Sequence, residues 1–117
     1  MKALVVVLAL VAGCSKQEDA PKKQTKPPAI PAVELQRGTD ACNDYVKRAC
    51  ACAETVPAAK EACALGKALP EAIDIAKRLA TNPDADDEDS HQAADSIRKT
   101  VKNCIEQTAK LPALGCP

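Results

Sequence analysis

The chain has 117 residues, of which seven are cysteines, and its 16 basic and 16 acidic side chains cancel to a formal net charge of zero. That length accommodates one small domain with appendages, which excludes a large enzyme with a deep site and a protein that spans a membrane several times. The lack of net basic charge, of Trp and of Phe also argues against a nucleic-acid partner, because nucleic acids are bound by basic fields and aromatic stacking.

The amino terminus has the pattern of a processing signal. Lys2 is followed by an uninterrupted apolar run over residues 3–12, which ends in the small residue Gly13 and then Cys14. A membrane-spanning helix needs about 20 apolar residues, so this run is too short to be a span. Its length and its flanks are those of the hydrophobic region of a signal peptide. We therefore predict a signal peptide over residues 1–13.

The residues at 11–14, VAGC, resemble the lipobox of bacterial lipoproteins: an aliphatic residue, a small residue, Gly or Ala, then Cys. The resemblance implies that the thiol of Cys14 receives a diacylglyceryl group, that a signal peptidase cuts between Gly13 and Cys14, and that the new amino group is acylated. It makes the lipid bilayer a partner through Cys14 and implies no cofactor besides this covalent lipid. Two or more acyl chains hold a protein firmly to a membrane.

The resemblance also implies a location in the bacterial cell envelope. Ser15 follows the lipidated position, where the family uses Asp to retain lipoproteins in the inner membrane, so an outer-membrane destination is favoured in a Gram-negative host. The alternatives are a soluble secretory signal with an incidental cysteine and a short membrane anchor.

A spacer follows the signal. Prolines at 21, 27, 28 and 31 oppose a helix or a central strand, and Lys and Gln dominate the other positions. So little apolar surface cannot offset the entropy of ordering the chain. We therefore predict that residues 14–37 form a disordered tether that begins at the lipidated Cys14, and that residues 38–117 form the folded domain.

The domain shows the apolar spacing of helices and no alternation typical of strands. Thr39 or Asp40 is suited to cap a first helix that ends near Glu54. A second helical pattern runs from Thr55 to Ala80 and contains Pro70. A third begins in the acidic region near residue 89, where Asp89 and Gln92 fit a capping box. The stripe of the third helix is the cleanest: Ala94, Ile97, Val101, Cys104, Thr108 and Leu111.

Pro70 must kink or break the second pattern, because proline lacks a backbone N–H and its ring clashes with the preceding turn. The prediction is therefore an all-α bundle of three helices, with the second one kinked, or of four helices. Large apolar side chains are few in this region, so a bundle of this size needs further stabilisation.

Cysteines are the expected source of that stabilisation. Besides Cys14, the chain has an even number of them, which in an exported domain predicts a disulfide framework: Cys42, Cys50, Cys52, Cys63, Cys104 and Cys116. In an up-down-up bundle the end of the first helix adjoins the start of the second and the end of the third. Cys50 and Cys52 should not bond each other, because the ring is strained and the side chains point apart. Of the connectivities that remain, we predict Cys42–Cys104, Cys50–Cys63 and Cys52–Cys116.

Other chemistry is less well supported by the sequence. A redox dithiol at Cys50 and Cys52 would need a lowered thiol pKa, whereas a helix C-terminus raises it. The acidic run at residues 84–89 lacks the glycine and glutamate of an EF-hand loop. A single histidine, His91, gives no case for a catalytic triad, and binding metal with Cys would require free thiols. We predict no catalytic residue, no metal ligand and no enzyme activity.

The domain resembles small, cysteine-rich, all-helical lipoproteins through residues 42–45 (CNDY), Cys50, Cys104 and the closing Gly115-Cys116. Cys52 and Cys63 are additions to that pattern. The resemblance implies a helical fold and an envelope location, and it brings no activity. We expect a membrane-anchored module that binds an envelope protein or serves structurally. The alternative is a thiol-redox or metal-handling lipoprotein that uses Cys50 and Cys52.

Overall fold

The computed structural model describes residues 27–117, so the predictions for the signal peptide, for Gly13 and Cys14 and for most of the tether lie outside the described residues. The described part contains four α-helices: α1 (Ala32–Ala53), α2 (Lys60–Gly66), α3 (Ala68–Ala80) and α4 (Asp87–Lys110). Two 3₁₀ turns, Pro57–Ala59 and Leu111–Leu114, precede α2 and follow α4. These residues include no strand, and the predicted all-α fold is confirmed. None of the described helices is long and apolar enough to cross a membrane.

The helices form an up-down-up bundle. Contacts between α1 and α4 advance in the same direction along both, from Glu34–Arg98 to Cys42–Cys104, so these two helices run parallel. Together, α2 and α3 return in the opposite direction, and the loop at residues 81–86 joins α3 to α4 as an antiparallel pair. The first helix ends at Ala53, as predicted.

The start of α1 differs from the prediction, because residues 32–37 are helical and not part of a disordered tether. Pro31 lies just before the first turn, where its fixed φ suits a helix and its missing N–H costs no hydrogen bond. The side chains of Ile30 and Leu35 are buried. Burial of these two side chains compensates for the entropy that is lost when residues 30–37 become ordered, although residues 14–37 as a whole have the composition of a disordered tether.

The predicted caps Thr39 and Asp40 instead lie inside α1. The Thr39 hydroxyl donates to the carbonyl oxygen of Leu35 at 2.8 Å, and a carboxylate oxygen of Asp40 accepts from Gln36 Nε2 at 2.9 Å. Both side chains thus find partners one turn earlier on their own helix. A cap-forming residue type therefore does not mark a helix start when such a partner is present.

The kink predicted in the second helix is present, but it lies at Lys67 between α2 and α3 rather than at Pro70. Pro70 falls in the first turn of α3, where backbone N–H groups have no helical acceptor to lose, and its ring is accommodated there. The break follows Gly66, which packs so closely on Tyr45 that an added Cβ would lie 3.0 Å from the ring.

The cap of α4 is Asp86, three residues before the predicted Asp89. A carboxylate oxygen of Asp86 accepts a hydrogen bond from the backbone N–H of Asp89 at 2.7 Å, which satisfies one of the free donors of the first turn. The predicted apolar stripe of this helix faces the core, with Ala94, Ile97 and Cys104 buried. Leu111, at its end, is buried in the following 3₁₀ turn.

The core is thin. The largest fully buried side chains are Ile30, Ile73, Ile97, Leu111, Cys42 and Cys104. Many other large apolar side chains remain exposed: Val33, Leu65, Ile75, Leu79, Ile105 and Leu114. Apolar burial is the main favourable term in folding, so we expect a bundle that leaves this much apolar surface exposed to need its cross-links for stability.

Candidate functional site

Two features of the described residues can carry function: the disulfide framework and an apolar groove between α1 and α4. The predicted lipidation site at Cys14 and the predicted cleavage site at Gly13 lie outside the described residues.

The cysteines of the domain form three disulfides with the pairing predicted from helix geometry: Cys42–Cys104, Cys50–Cys63 and Cys52–Cys116. Their Cα atoms are 5.0, 4.6 and 5.6 Å apart, respectively, within the usual range for such bonds. Cys42–Cys104 joins the parallel helices α1 and α4, and both of its residues are fully buried. The chain between bonded residues is long in two of the three cases, with sequence separations of 62 and 64.

The carboxy-terminal segment is shaped to reach its disulfide partner. Gly115 adopts a left-handed backbone conformation with φ of 90°, which glycine enters without steric cost. The backbone N–H of Cys116 then bonds to the carbonyl oxygen of Leu111 at 3.1 Å, and its side chain meets Cys52. A second contact supports this turn, because Arg48 Nη2 donates to the carbonyl oxygen of Pro117 at 3.3 Å.

In the oxidised chain, Cys50 and Cys52 do not bond each other. Cys50 is bonded to Cys63 in α2, while Cys52 is nearly fully buried and is bonded to Cys116. The two side chains leave α1 in different directions, as two positions separated by two residues must. The structure thus places the two cysteines in separate cross-links.

The acidic run and His91 lie around the start of α4 and are exposed. Asp86 caps the helix, and the acidic side chains of the first turn suit the positive end of the helix dipole. Within residues 27–117, no group of three or more His, Cys, Asp or Glu is arranged to hold a metal ion. Helix capping and the helix dipole therefore account for Asp86 and for the acidic first turn of α4.

The apolar groove lies between the amino-terminal half of α1 and the middle of α4, and no residue of α2 or α3 lines it. Its volume is about 750 Å³. Buried Ile30 and Ile97 form one end, and the exposed side chains of Val33 and Ile105, at 62% and 57% exposure, stand on its walls. Both exposures are high for large apolar side chains, so apolar surface is left outside the core here.

A close approach of two helices forms the floor of the groove. Gly38 of α1 faces Val101 of α4, and a Cβ added to Gly38 would lie 2.5 Å from Val101 Cγ2. Only a residue without a side chain fits this position unless Val101 moves. Gly38 thus brings α1 and α4 together and leaves an apolar channel above the contact.

Charged side chains line the rim of the groove. Arg98 Nε donates to Glu34 Oε1 at 2.6 Å and Nη2 donates to Oε2 at 3.3 Å, and Arg98 also contacts Asp95. The hydrogen bond from Arg98 lowers the pKa of Glu34 and raises the pKa of Arg98 itself. Lys102 Nζ lies 3.8 Å from Glu106. Among the described residues, Arg37 forms no ion pair.

A smaller cavity of about 290 Å³ lies beside Tyr45. The hydroxyl of Tyr45 donates to the carbonyl oxygen of Ala62 at 3.3 Å, and the ring contacts Gly66. Burial raises the pKa of the Tyr45 phenol, because the anion is poorly solvated there. Tyr45 thus acts as a core residue between α1 and α2.

Sequence reasoning did not find the groove, because its first wall lies in residues assigned to the tether. A signal was present in the spacing of Leu35, Gly38, Cys42 and Tyr45, which continues the helical stripe backward by two turns. The proline content of residues 27–31 outweighed that signal in the prediction.

Comparison with known proteins supplies no relative from which to transfer a role. No protein-family model matches the sequence, and neither a curated protein nor a solved structure gives a match. A function for this chain therefore has to be argued from its own residues.

Proposed function

We propose that the chain is a lipid-anchored envelope lipoprotein that presents a small disulfide-stabilised helical module. The observation that carries the proposal is the apolar run followed by the lipobox-like VAGC at positions 11–14. A diacylglyceryl group on Cys14 and an acyl group on its amino terminus would supply the several chains that firm anchoring requires.

The disulfides support an extracytoplasmic location. Three bonds that join distant parts of a chain form and persist in oxidising compartments, whereas cytosolic thiols are kept reduced. An outer-membrane destination in a Gram-negative host is part of the proposal and rests on Ser15.

The module itself is proposed to bind an envelope protein or to serve structurally, without catalysis. The alternative role in thiol redox or metal handling would need Cys50 and Cys52 as free thiols. Their separate disulfides support the non-enzymatic reading, because removing either bond would release a structural cross-link.

The test of anchoring is metabolic labelling with palmitate in a bacterial host. We expect the natural chain and a Ser15→Ala control to incorporate label, and Cys14→Ala to incorporate none and to keep its signal peptide. Undiminished label in Cys14→Ala would contradict the proposal. Changing Ser15 to Asp should move the labelled protein from the outer-membrane to the inner-membrane fraction. Unchanged fractionation would contradict the proposed outer-membrane destination but not the lipid anchor.

The test of the redox alternative is a count of free thiols on the folded, oxidised domain. We expect alkylation to label none of the six cysteines of residues 27–117. If a mild reductant instead opens only the bonds of Cys50 and Cys52 while the helical signal persists, the redox role replaces the structural one.

A further inference from the structure

The groove between α1 and α4 is an open apolar channel with a charged rim. Val101 and Ile105 lie four residues apart on α4 and present apolar side chains to the groove, while Ile97, which is 1% exposed, lies beneath it. Val33 stands on the facing wall. The volume of about 750 Å³ is within the range of pockets that bind small molecules. The walls therefore suit a narrow apolar occupant.

The charged side chains on the rim indicate what kind of polar group such an occupant would carry at one end. Three basic side chains, Arg37, Arg98 and Lys102, and two acidic ones, Glu34 and Glu106, line the groove. Arg98 is held by Glu34, and Lys102 lies near Glu106. Arg37 has no ion pair among the described residues, so its guanidinium is available to a carboxylate beside an apolar channel.

A protein partner fits the groove less well. A stable interface buries about 800 Å² on each side, and its core is rich in large apolar side chains. Here only Val33 and Ile105 are both apolar and strongly exposed, and charged residues surround them. A single acyl chain, by contrast, needs one apolar channel and one cationic group.

We propose that the groove binds a long-chain fatty acid, with its acyl chain against Val33, Val101 and Ile105 and its carboxylate at Arg37. Burial of the chain supplies affinity, and Arg37 sets the orientation and the preference for an anionic headgroup. This inference goes beyond anchoring and does not depend on lipidation of Cys14.

The experiment uses the chain from Ser15 to Pro117, which lacks Cys14 and contains the whole described core and all three disulfides. Oxidation and folding are checked by free-thiol counting and circular dichroism. The probe is a dansyl-labelled undecanoic acid. The chain has no Trp, and Tyr45 lies outside the groove, so changes in dansyl emission report on the probe's surroundings. We expect saturable binding of one probe per chain.

Paired variants test the location. Val33→Gln combined with Ile105→Gln removes apolar groove walls at exposed positions and should weaken binding about tenfold or more. Leu65→Gln combined with Ile75→Gln changes equally exposed apolar positions elsewhere and should leave affinity within about twofold. Equal effects of the two pairs, or no saturable binding by the natural sequence, would overturn the proposal.

A second pair tests the headgroup. Arg37→Gln should weaken binding of the fatty acid about fivefold and leave binding of the corresponding fatty alcohol, measured by displacement of the probe, unchanged. Arg78→Gln, on α3 outside the groove, is the control. Equal loss for acid and alcohol would overturn the role of Arg37. If sedimentation instead shows a dimer that the Val33 and Ile105 changes dissociate, the groove is an interface between copies and the fatty-acid proposal is wrong.

Discussion

The two ends of the bundle are held together by different interactions. At one end, which we call the disulfide end, the last turns of α1, the residues 57–66 and the carboxy-terminal segment are joined by Cys50–Cys63 and Cys52–Cys116. At the other, the proline end, residues 27–31 pack beside the loop at 81–86 and the first turn of α4. Within the described residues, the proline end contains no disulfide and depends on buried side chains such as Ile30 and Ala80.

The difference follows from the local structure at each end. The disulfide end is built from short elements: two 3₁₀ turns and a seven-residue helix, none of which is stable alone. Cross-links limit the freedom of the unfolded chain there. At the proline end, the longer helices α3 and α4 meet over a short loop, and prolines already restrict the backbone. Two of the three disulfides thus occur where regular structure is least able to stabilise itself, whereas Cys42–Cys104 joins the long helices α1 and α4.

Complete reduction should have the largest effect. Each disulfide contributes about 2–4 kcal/mol, so loss of all three is comparable with the whole stability of a typical small domain. We expect the reduced chain to lose most of its helical circular dichroism at 25 °C and to label at all six domain cysteines. A reduced chain that keeps its helices and a cooperative thermal transition would show that the thin core suffices.

The proline end should respond to a single apolar truncation. Ile30 is 1% exposed, so Ile30→Ala should lower the free energy of unfolding by about 3 kcal/mol through lost burial and an unfilled cavity. Val33→Ala, three residues later and strongly exposed, should change it by less than about 0.5 kcal/mol. Denaturant unfolding under oxidising conditions measures both. Equal, small effects of the two substitutions would show that residues 30–37 belong to the disordered tether and not to the folded domain.

The sequence was informative where one physical signal dominated. The stripe of α4 and the turns near residues 55 and 82 indicate which helix ends meet, and this favours the observed cysteine pairing over a bond between Cys50 and Cys52. It was less informative where two signals compete. The prolines of residues 27–31 indicate a spacer, whereas Ile30 and Leu35 indicate burial, and only the packed structure shows that burial prevails. Gly38 likewise has low helix propensity, and only its close contact with Val101 shows why a glycine lies inside α1.

The contact between Gly38 and Val101 lies between the two ends of the bundle, so it tests how closely α1 and α4 pack away from both of them. Gly38→Ala gains helix propensity of about 1 kcal/mol but forces Val101 to move, at a cost of about 1–3 kcal/mol. We expect a net loss of stability in the natural background. In a Val101→Ala background the added methyl group fits, and the same change should stabilise. A double-mutant cycle with no coupling would mean that α1 and α4 do not approach closely there.

The smallest expected effect concerns pH at the start of α1. Hydrogen bonding by Arg98 lowers the pKa of Glu34, so the folded state favours the carboxylate more than the unfolded state does. The resulting stabilisation is present above the ordinary pKa near 4.5 and disappears as pH falls through the lowered value. Glu34→Gln should therefore be less stable than the natural chain at pH 7, and the two stabilities should converge in acid.

Solvent screens this pair, since both side chains are more than 40% exposed, so the difference should shrink further in high salt. Glu71→Gln, in the first turn of α3 and without an ion pair among the described residues, is the control for loss of one surface carboxylate. Denaturant unfolding at pH 7 and pH 3, in low and high salt, measures the convergence. If Glu34→Gln and Glu71→Gln keep the same stability at every pH, the ion pair on the rim contributes nothing at the proline end, and burial of Ile30 and its neighbours alone holds α1 against α4 there.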